Sequence, residues 1–186
     1  MVYKGDFTMR LKTKDLTLIA LFVAITIILS QIVIPLTPVP LSLSMIAVYL
    51  SGALLGWKRG GITLIIYLLI GALGLPVFAS AKGGIPVLFG PTGGYIFGYV
   101  FASVITGYFI ERTNRLKIYI IFGAMTAGLI SCYFLGTLWL GIITEIGFSK
   151  ALYLGVIPFI PGDLLKILLS ALLVKKLIPS ITSFES

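Results

Sequence analysis

Histidine is absent from this sequence, and cysteine occurs once, at Cys132. The first absence removes the commonest general base and the commonest metal ligand, and with them every Ser-His-type triad. The second excludes an internal disulfide and a Cys-based metal site. Cys132 lies in an apolar run, where a lone thiol reads as a small packing residue. Charge is also scarce, at 11% Asp, Glu, Lys and Arg, against about 25% in a soluble domain. No G-x-x-x-x-G-K-[ST] phosphate loop occurs, and neither half of the chain repeats the other as in many secondary transporters. Energy for uphill movement of a solute would therefore have to come from a partner or an ion gradient.

What fills the sequence instead is apolar: 59% of its 186 residues are hydrophobic, with a mean hydropathy of +1.13. The apolar runs are long and lack the alternating polarity of short membrane-spanning strands, so they read as helices. The first, Leu16–Ile34, is longer than the ~7–15-residue core of a signal peptide and reads as an uncleaved span. Pro35, Pro38 and Pro40 break the chain after it. Further spans are expected over Leu41–Leu55, Ile62–Val77, Gly93–Ile110, Leu116–Ile143 and Gly162–Leu177, with a short interfacial helix at Ser149–Ile157. The expected fold is an all-α membrane protein, a compact bundle of six transmembrane helices. Residues 1–15 form a cytoplasmic N-terminal segment, 16–178 the membrane-embedded domain and 179–186 a cytoplasmic tail.

The net charge of +8 is a topology signal rather than a nucleic-acid footprint, because the basic residues cluster between apolar runs. Six spans place Lys4, Arg10, Lys12, Lys14, Lys58, Arg59, Arg112, Arg115, Lys117, Lys175 and Lys176 on one face, and only Lys82 and Lys150 on the other. By the positive-inside rule the rich face is cytoplasmic, so both termini are expected there.

That partition leaves Lys166 as the one basic residue inside a span. It follows Asp163 by three residues in PFIPGDLLKILLS (158–170), so the two share a helix face. An unpaired charge at a bilayer centre costs roughly 2.5–3.5 kcal/mol on insertion scales, and pairing lowers this. Pro161 and Gly162 mark a helix start, where the positive dipole end suits Asp163. Topology turns this end outward. The pair reads either as a pin on the last helix or as a ligand site for a polar neutral ring, an amide or ureide, whose N–H groups a carboxylate accepts. An enzyme using Asp163 and Lys166 as acid and base is disfavoured. No second carboxylate falls in a predicted span, and no nucleophile motif accompanies the pair.

The link ASAKGGIPVLFGPTGGY (79–95) is too apolar for a solvated loop and carries five glycines. Ile85, Val87, Leu88 and Phe89 are expected to fold onto the bundle mouth, as a lid over a ligand or as a re-entrant packing segment. Ala20 and Ala24, four apart in the first helix, permit close helix contact.

Taken together, TPVPLSL (37–43), GALLGWKRG (52–60), IGALGLPVFAS (70–80), GPTGGYIFG (90–98) and PGDLLK (161–166) resemble the BioY family. These are biotin-specific substrate-binding (S) components of energy-coupling factor (ECF) transporters. The resemblance runs from about Leu16 to Leu177. It implies biotin bound near the outer face without a cofactor, Asp163 and Lys166 on the ureido ring, and Asp163 accepting its N–H bonds. It implies that Tyr95 and the loop bearing Lys82, Gly83 and Gly84 enclose the rest. Lys82 or loop N–H groups would take the carboxylate. Where relatives commonly carry a Gln in the second helix this chain has Ser44, so water or another side chain would replace a direct Gln contact. The implied partners are a transmembrane coupling protein (EcfT), docked on the Ala20/Ala24 face, and two cytoplasmic ATPases. Biotin would be captured outside and released inside as the component topples in the membrane. A stand-alone carrier of biotin or a precursor is the alternative.

Overall fold

The computed structural model describes residues 12–113 and 117–183, with side chains described through 178. Lys4, Arg10, Arg115 and the tail from 179 lie outside the residues whose side chains are described. Among the described residues the regular structure is helical apart from one hairpin of two-residue strands and an isolated bridge between Phe78 and Lys82. Helix α1 runs Thr13–Gln31, and strands β1 (Val33–Ile34) and β2 (Leu41–Ser42) pair antiparallel, Val33 opposite Ser42. Then follow α2 (Ser44–Ala72), a 3-10 turn (Ala79–Ala81), the short α3 (Ile85–Leu88), α4 (Gly93–Glu111), α5 (Ile118–Ile143), α6 (Gly147–Gly155), a second 3-10 turn (Ile157–Phe159) and α7 (Ile160–Ser183). Among the described residues, five helical stretches are long and apolar enough to cross a membrane: α1, α2, α4, α5 and the stretch Gly147–Ile178.

The second and third expected spans form one helical stretch, α2. Their expected linker, residues 56–61, contracts to a single break at Gly56, which has φ +84° and ψ 169°. This is the region of backbone space that only glycine occupies readily. The break is sharp enough to fold the two halves together: a Cβ placed on Gly60 would lie 2.8 Å from Gly52 Cα. In a straight helix residues eight apart are separated by about 12 Å. Trp57, just past the break, donates its N–H to Glu111 Oε1 at the end of α4 (3.1 Å), so a side chain supplies the acceptor the interrupted helix has lost.

Other boundaries move for local reasons. Helix α1 stops at Gln31 rather than Ile34 because Val33 and Ile34, β-branched and followed by Pro35, favour extended backbone. Helix α2 stops at Ala72 rather than Val77: Gly74 (φ +98°) returns its N–H to the Gly71 carbonyl (3.1 Å), a glycine-terminated end. Helix α7 begins two residues before Gly162, with Pro161 in the first turn, where its missing N–H costs nothing.

Helix α4 is central, packed between the folded α2 and α5. The seams are lined by small residues. Cβ atoms on Gly98 and Gly128 would stand 2.9 Å from Cys132 Cα and 2.6 Å from Thr106 Oγ1, so the backbones approach closely, as lipid-embedded helices require. Cys132 is buried against the Tyr95 carbonyl, the packing role expected of it. Outward-facing Leu21, Ile28, Leu69, Phe101, Ile130, Phe134, Ile142 and Leu165 give the bundle an apolar exterior, which suits lipid rather than water. At the end of the bundle that carries the Gly56 break, Asp15 in the first turn of α1 is buried and paired with Arg59 of α2 (3.1 Å). Two further carboxylates therefore do lie in long helices, because α1 starts earlier and α4 ends later than expected; Asp15 is matched by Arg59, and Glu111 accepts the Trp57 N–H.

Candidate functional site

Asp163 and Lys166 form a buried pair in the first turns of α7. Lys166 Nζ donates to Asp163 Oδ1 at 2.7 Å, and both side chains are almost fully enclosed, at 7% and 6% exposure. The i, i+3 spacing brings them together within one helix. Helix α5 contributes a third member: the Tyr133 hydroxyl donates to Asp163 Oδ2 at 2.5 Å. Each carboxylate oxygen thus has one fixed donor and keeps a lone pair, while the Lys166 ammonium uses one of its three N–H donors on Asp163. A small cavity of about 40 Å³ opens onto this cluster, walled by Ser42, Met45, Tyr95, Tyr99, Leu129 and Phe159.

A larger cavity, about 230 Å³, continues from it; Val39, Pro40, Ser42, Tyr95 and Tyr99 line both. Its outer part is lined by the Pro35–Pro40 segment, Ser30, Phe78, Ser80, Lys82, Val87 and Thr92. The combined space is elongated and mostly apolar, with a buried ionic cluster at one end and an exposed lysine at the other. Pockets with this distribution orient a ligand through a few polar groups.

The expected site residues divide between these walls. Asp163 and Lys166 line the small cavity, Lys82 and Ser44 the large one, and Tyr95 both. Tyr95 belongs to α4 rather than to the loop, and its hydroxyl donates to the Gly155 carbonyl (3.0 Å), tying α6 to the cavity wall. Ser44 is fully buried; it donates to the Tyr99 hydroxyl (2.8 Å) and shares a 2.6 Å hydrogen bond with Ser42. Gly83 and Gly84 line neither cavity. They dock the loop on the end of α2, with Gly84 N–H on the Gly71 carbonyl (2.7 Å). Of the loop's apolar residues, Leu88 is buried and Val87 lines the cavity, but Ile85 and Phe89 face outward. Phe89 rests against Trp139, whose Nε1–H holds the Gly90 carbonyl (2.9 Å). Ala20 and Ala24 line neither cavity and are exposed on α1.

Tyr133, Tyr99 and Gln31 were missed by the sequence reading. Tyr133 and Tyr99 sit mid-helix among apolar residues, and the phenol one position after Cys132 was the available signal. Gln31 marks the end of α1, where its side chain reaches the 77–81 segment.

A sequence profile of the BioY family matches residues 5–183. A protein from Pyrococcus horikoshii named as a probable biotin transporter BioY is 41% identical over 167 residues, 90% of this chain and 98% of that protein. The biotin transporter BioY of Rhizobium etli is 35% identical over 173 residues, covering 88% of this chain and 92% of that one. Among solved structures, the S-component for biotin from an ECF-type ABC transporter superposes with a TM-score of 0.84 at 31% identity, over 92% of this chain and 94% of its own. This multi-pass membrane protein belongs to the BioY family.

Proposed function

We propose that this chain is the biotin-binding S component of an ECF-type importer, a transport subunit and not an enzyme. The observation that carries the reading is the buried Asp163–Lys166–Tyr133 cluster at one end of a mostly apolar cavity. Biotin's cyclic urea presents two N–H donors and one carbonyl. Asp163 retains acceptor capacity and Lys166 retains donors, so the two meet that ring in complementary fashion. The hydrophobic walls of Met45, Leu129 and Phe159 suit the bicyclic body. Lys82 at the opposite end suits the valerate carboxylate. The alternative acceptor of that carboxylate, the loop amides, is weakened because Gly84 N–H already serves Gly71.

Six membrane crossings with both termini cytoplasmic follow from treating the two halves of α2 as separate spans, which the fold-back at Gly56 supports. The charge distribution then puts the cavity mouth and Lys82 outside. The exposed Ala20/Ala24 face of α1 would meet the transmembrane coupling protein, and two ATPases would drive release inward.

Calorimetry on the purified protein tests the binding step. Wild type is expected to bind biotin stoichiometrically. Tyr133→Phe deletes a hydrogen bond to a charged group and should weaken binding about tenfold, near 1.5 kcal/mol. Lys82→Met should weaken biotin roughly fivefold, as a partly exposed ion pair would, and leave biotin amide almost unaffected. In reconstituted vesicles, ATP-dependent accumulation of biotin only when the coupling module is present supports the S-component reading. Equal accumulation without the module would make the chain a stand-alone carrier.

A further inference from the structure

The last two residues of α1 are hydrogen-bonded to a segment far along the chain that lines the outer cavity. The Ser30 hydroxyl, buried, reaches the Val77 carbonyl at 2.5 Å, and the Tyr67 hydroxyl donates to the same oxygen at 3.1 Å. Gln31 uses both ends of its amide: Nε2 reaches the carbonyls of Val77 (3.1 Å) and Phe78 (3.3 Å), and Oε1 accepts the Ala81 N–H (3.0 Å). The segment is a closed turn, with Phe78 N–H on the Lys82 carbonyl (2.9 Å). Two of its three inner residues, Ser80 and Ala81, have φ +62° and +52°, the left-handed region that residues other than glycine enter at a cost. Neither Ser80 nor Ala81 relieves that cost by itself. The amide of Gln31 holds the turn at three backbone groups. Phe78, Ala79, Ser80 and Lys82 of the turn all line the larger cavity, as does Ser30.

We infer that Gln31 is a positioning residue for ligand retention: it fixes the strained 77–82 turn to the end of α1 and thereby holds Lys82 over the cavity mouth. The inference rests on the biotin-binding reading. A docking event that shifts α1 would, through the same amide, move the turn that covers the cargo. Retention, unlike capture, depends on this turn staying closed, so the effect belongs in the dissociation rate.

The test is dissociation of radiolabelled biotin, chased with unlabelled biotin, from the purified full chain in wild type, Gln31→Ala, Lys82→Met and the double variant. Gln31→Ala is expected to raise the dissociation rate roughly tenfold while the association rate changes less than about threefold. The double variant should release biotin no faster than the faster single variant, because both substitutions act through one turn. Unchanged dissociation in Gln31→Ala overturns the inference, as does strict additivity in the double variant. A lowered melting temperature with wild-type release also overturns it, assigning Gln31 to folding alone. If wild type itself retains no biotin, the function reading falls and the inference with it; wild-type retention with unaltered variants sinks the inference only.

Discussion

Asp163→Asn is expected to weaken biotin binding by about two orders of magnitude or more and to destabilise the protein as well. Removing one partner of a buried ion pair costs ~3–5 kcal/mol, because the other charge stays buried and uncompensated. Each 1.4 kcal/mol of lost binding energy is about a factor of ten. Here the loss has two routes: Lys166 loses its only described counter-charge, and Tyr133 loses a charged acceptor. A double variant separates them. Asp163→Leu with Lys166→Met replaces the pair by apolar groups of similar bulk, a change that is often neutral or stabilising to a fold. The double variant should therefore regain much of the wild-type melting temperature while its biotin affinity stays lost. Recovery of both stability and affinity would mean that the pair is only a pin on α7, and the ligand site lies elsewhere.

Gly56→Ala is expected to be among the most damaging substitutions remote from the ligand. Its backbone lies where a side chain costs up to about 3 kcal/mol, and the added methyl would collide with the Glu111 carboxylate. That carboxylate caps Trp57 N–H, so displacing it opens the turn on which both halves of α2 depend. Thermal unfolding in detergent should register a large drop for Gly56→Ala and a smaller one for Glu111→Ala. In the Glu111→Ala background the Gly56→Ala penalty should shrink but not vanish, since the collision goes and the backbone strain stays. A Gly56→Ala protein as stable as wild type would show that the reversal does not require this conformation.

Those two sites were legible in the sequence to different degrees. The Asp163–Lys166 pair declared itself because charge inside an apolar helix is expensive, and three-residue spacing puts both on one face. Its third member did not: Tyr133 lies 30 positions earlier, and a phenol in a span reads as an interfacial anchor until a fold brings it to the acid. Gly56 fell inside the expected linker, but the linker's length was overestimated. Trp57 to Gly61 carry glycine and charge, composition that reads as loop. The helix instead resumes one residue after the break, with the Trp57 N–H taken by Glu111, so few backbone groups are left without a partner. The outward Ile85 and Phe89 were misread for a related reason: the rule that apolar side chains turn inward is a rule about water. Gln31 gave no signal, since its partners are backbone groups whose positions depend on where α2 ends.

Proline sets a different property of the cavity. Pro35, Pro38 and Pro40 all line its outer wall, and each has a fixed φ. The wall is further closed by the β1–β2 pairing at its base and by Val39, whose side chain is buried. A binding wall with so few free torsions is already ordered before a ligand arrives. Immobilising a flexible side chain on binding costs roughly 0.5–1.5 kcal/mol, and this face of the cavity avoids most of that cost. The two sides of the entrance are therefore unequal in mechanical character: a stiff proline-built jamb, and opposite it a strained turn held by side-chain hydrogen bonds from Gln31, Ser30 and Tyr67. On the proposed transport reading that asymmetry is useful, because a rigid half would keep the site shaped for capture while only the other half would have to move for release.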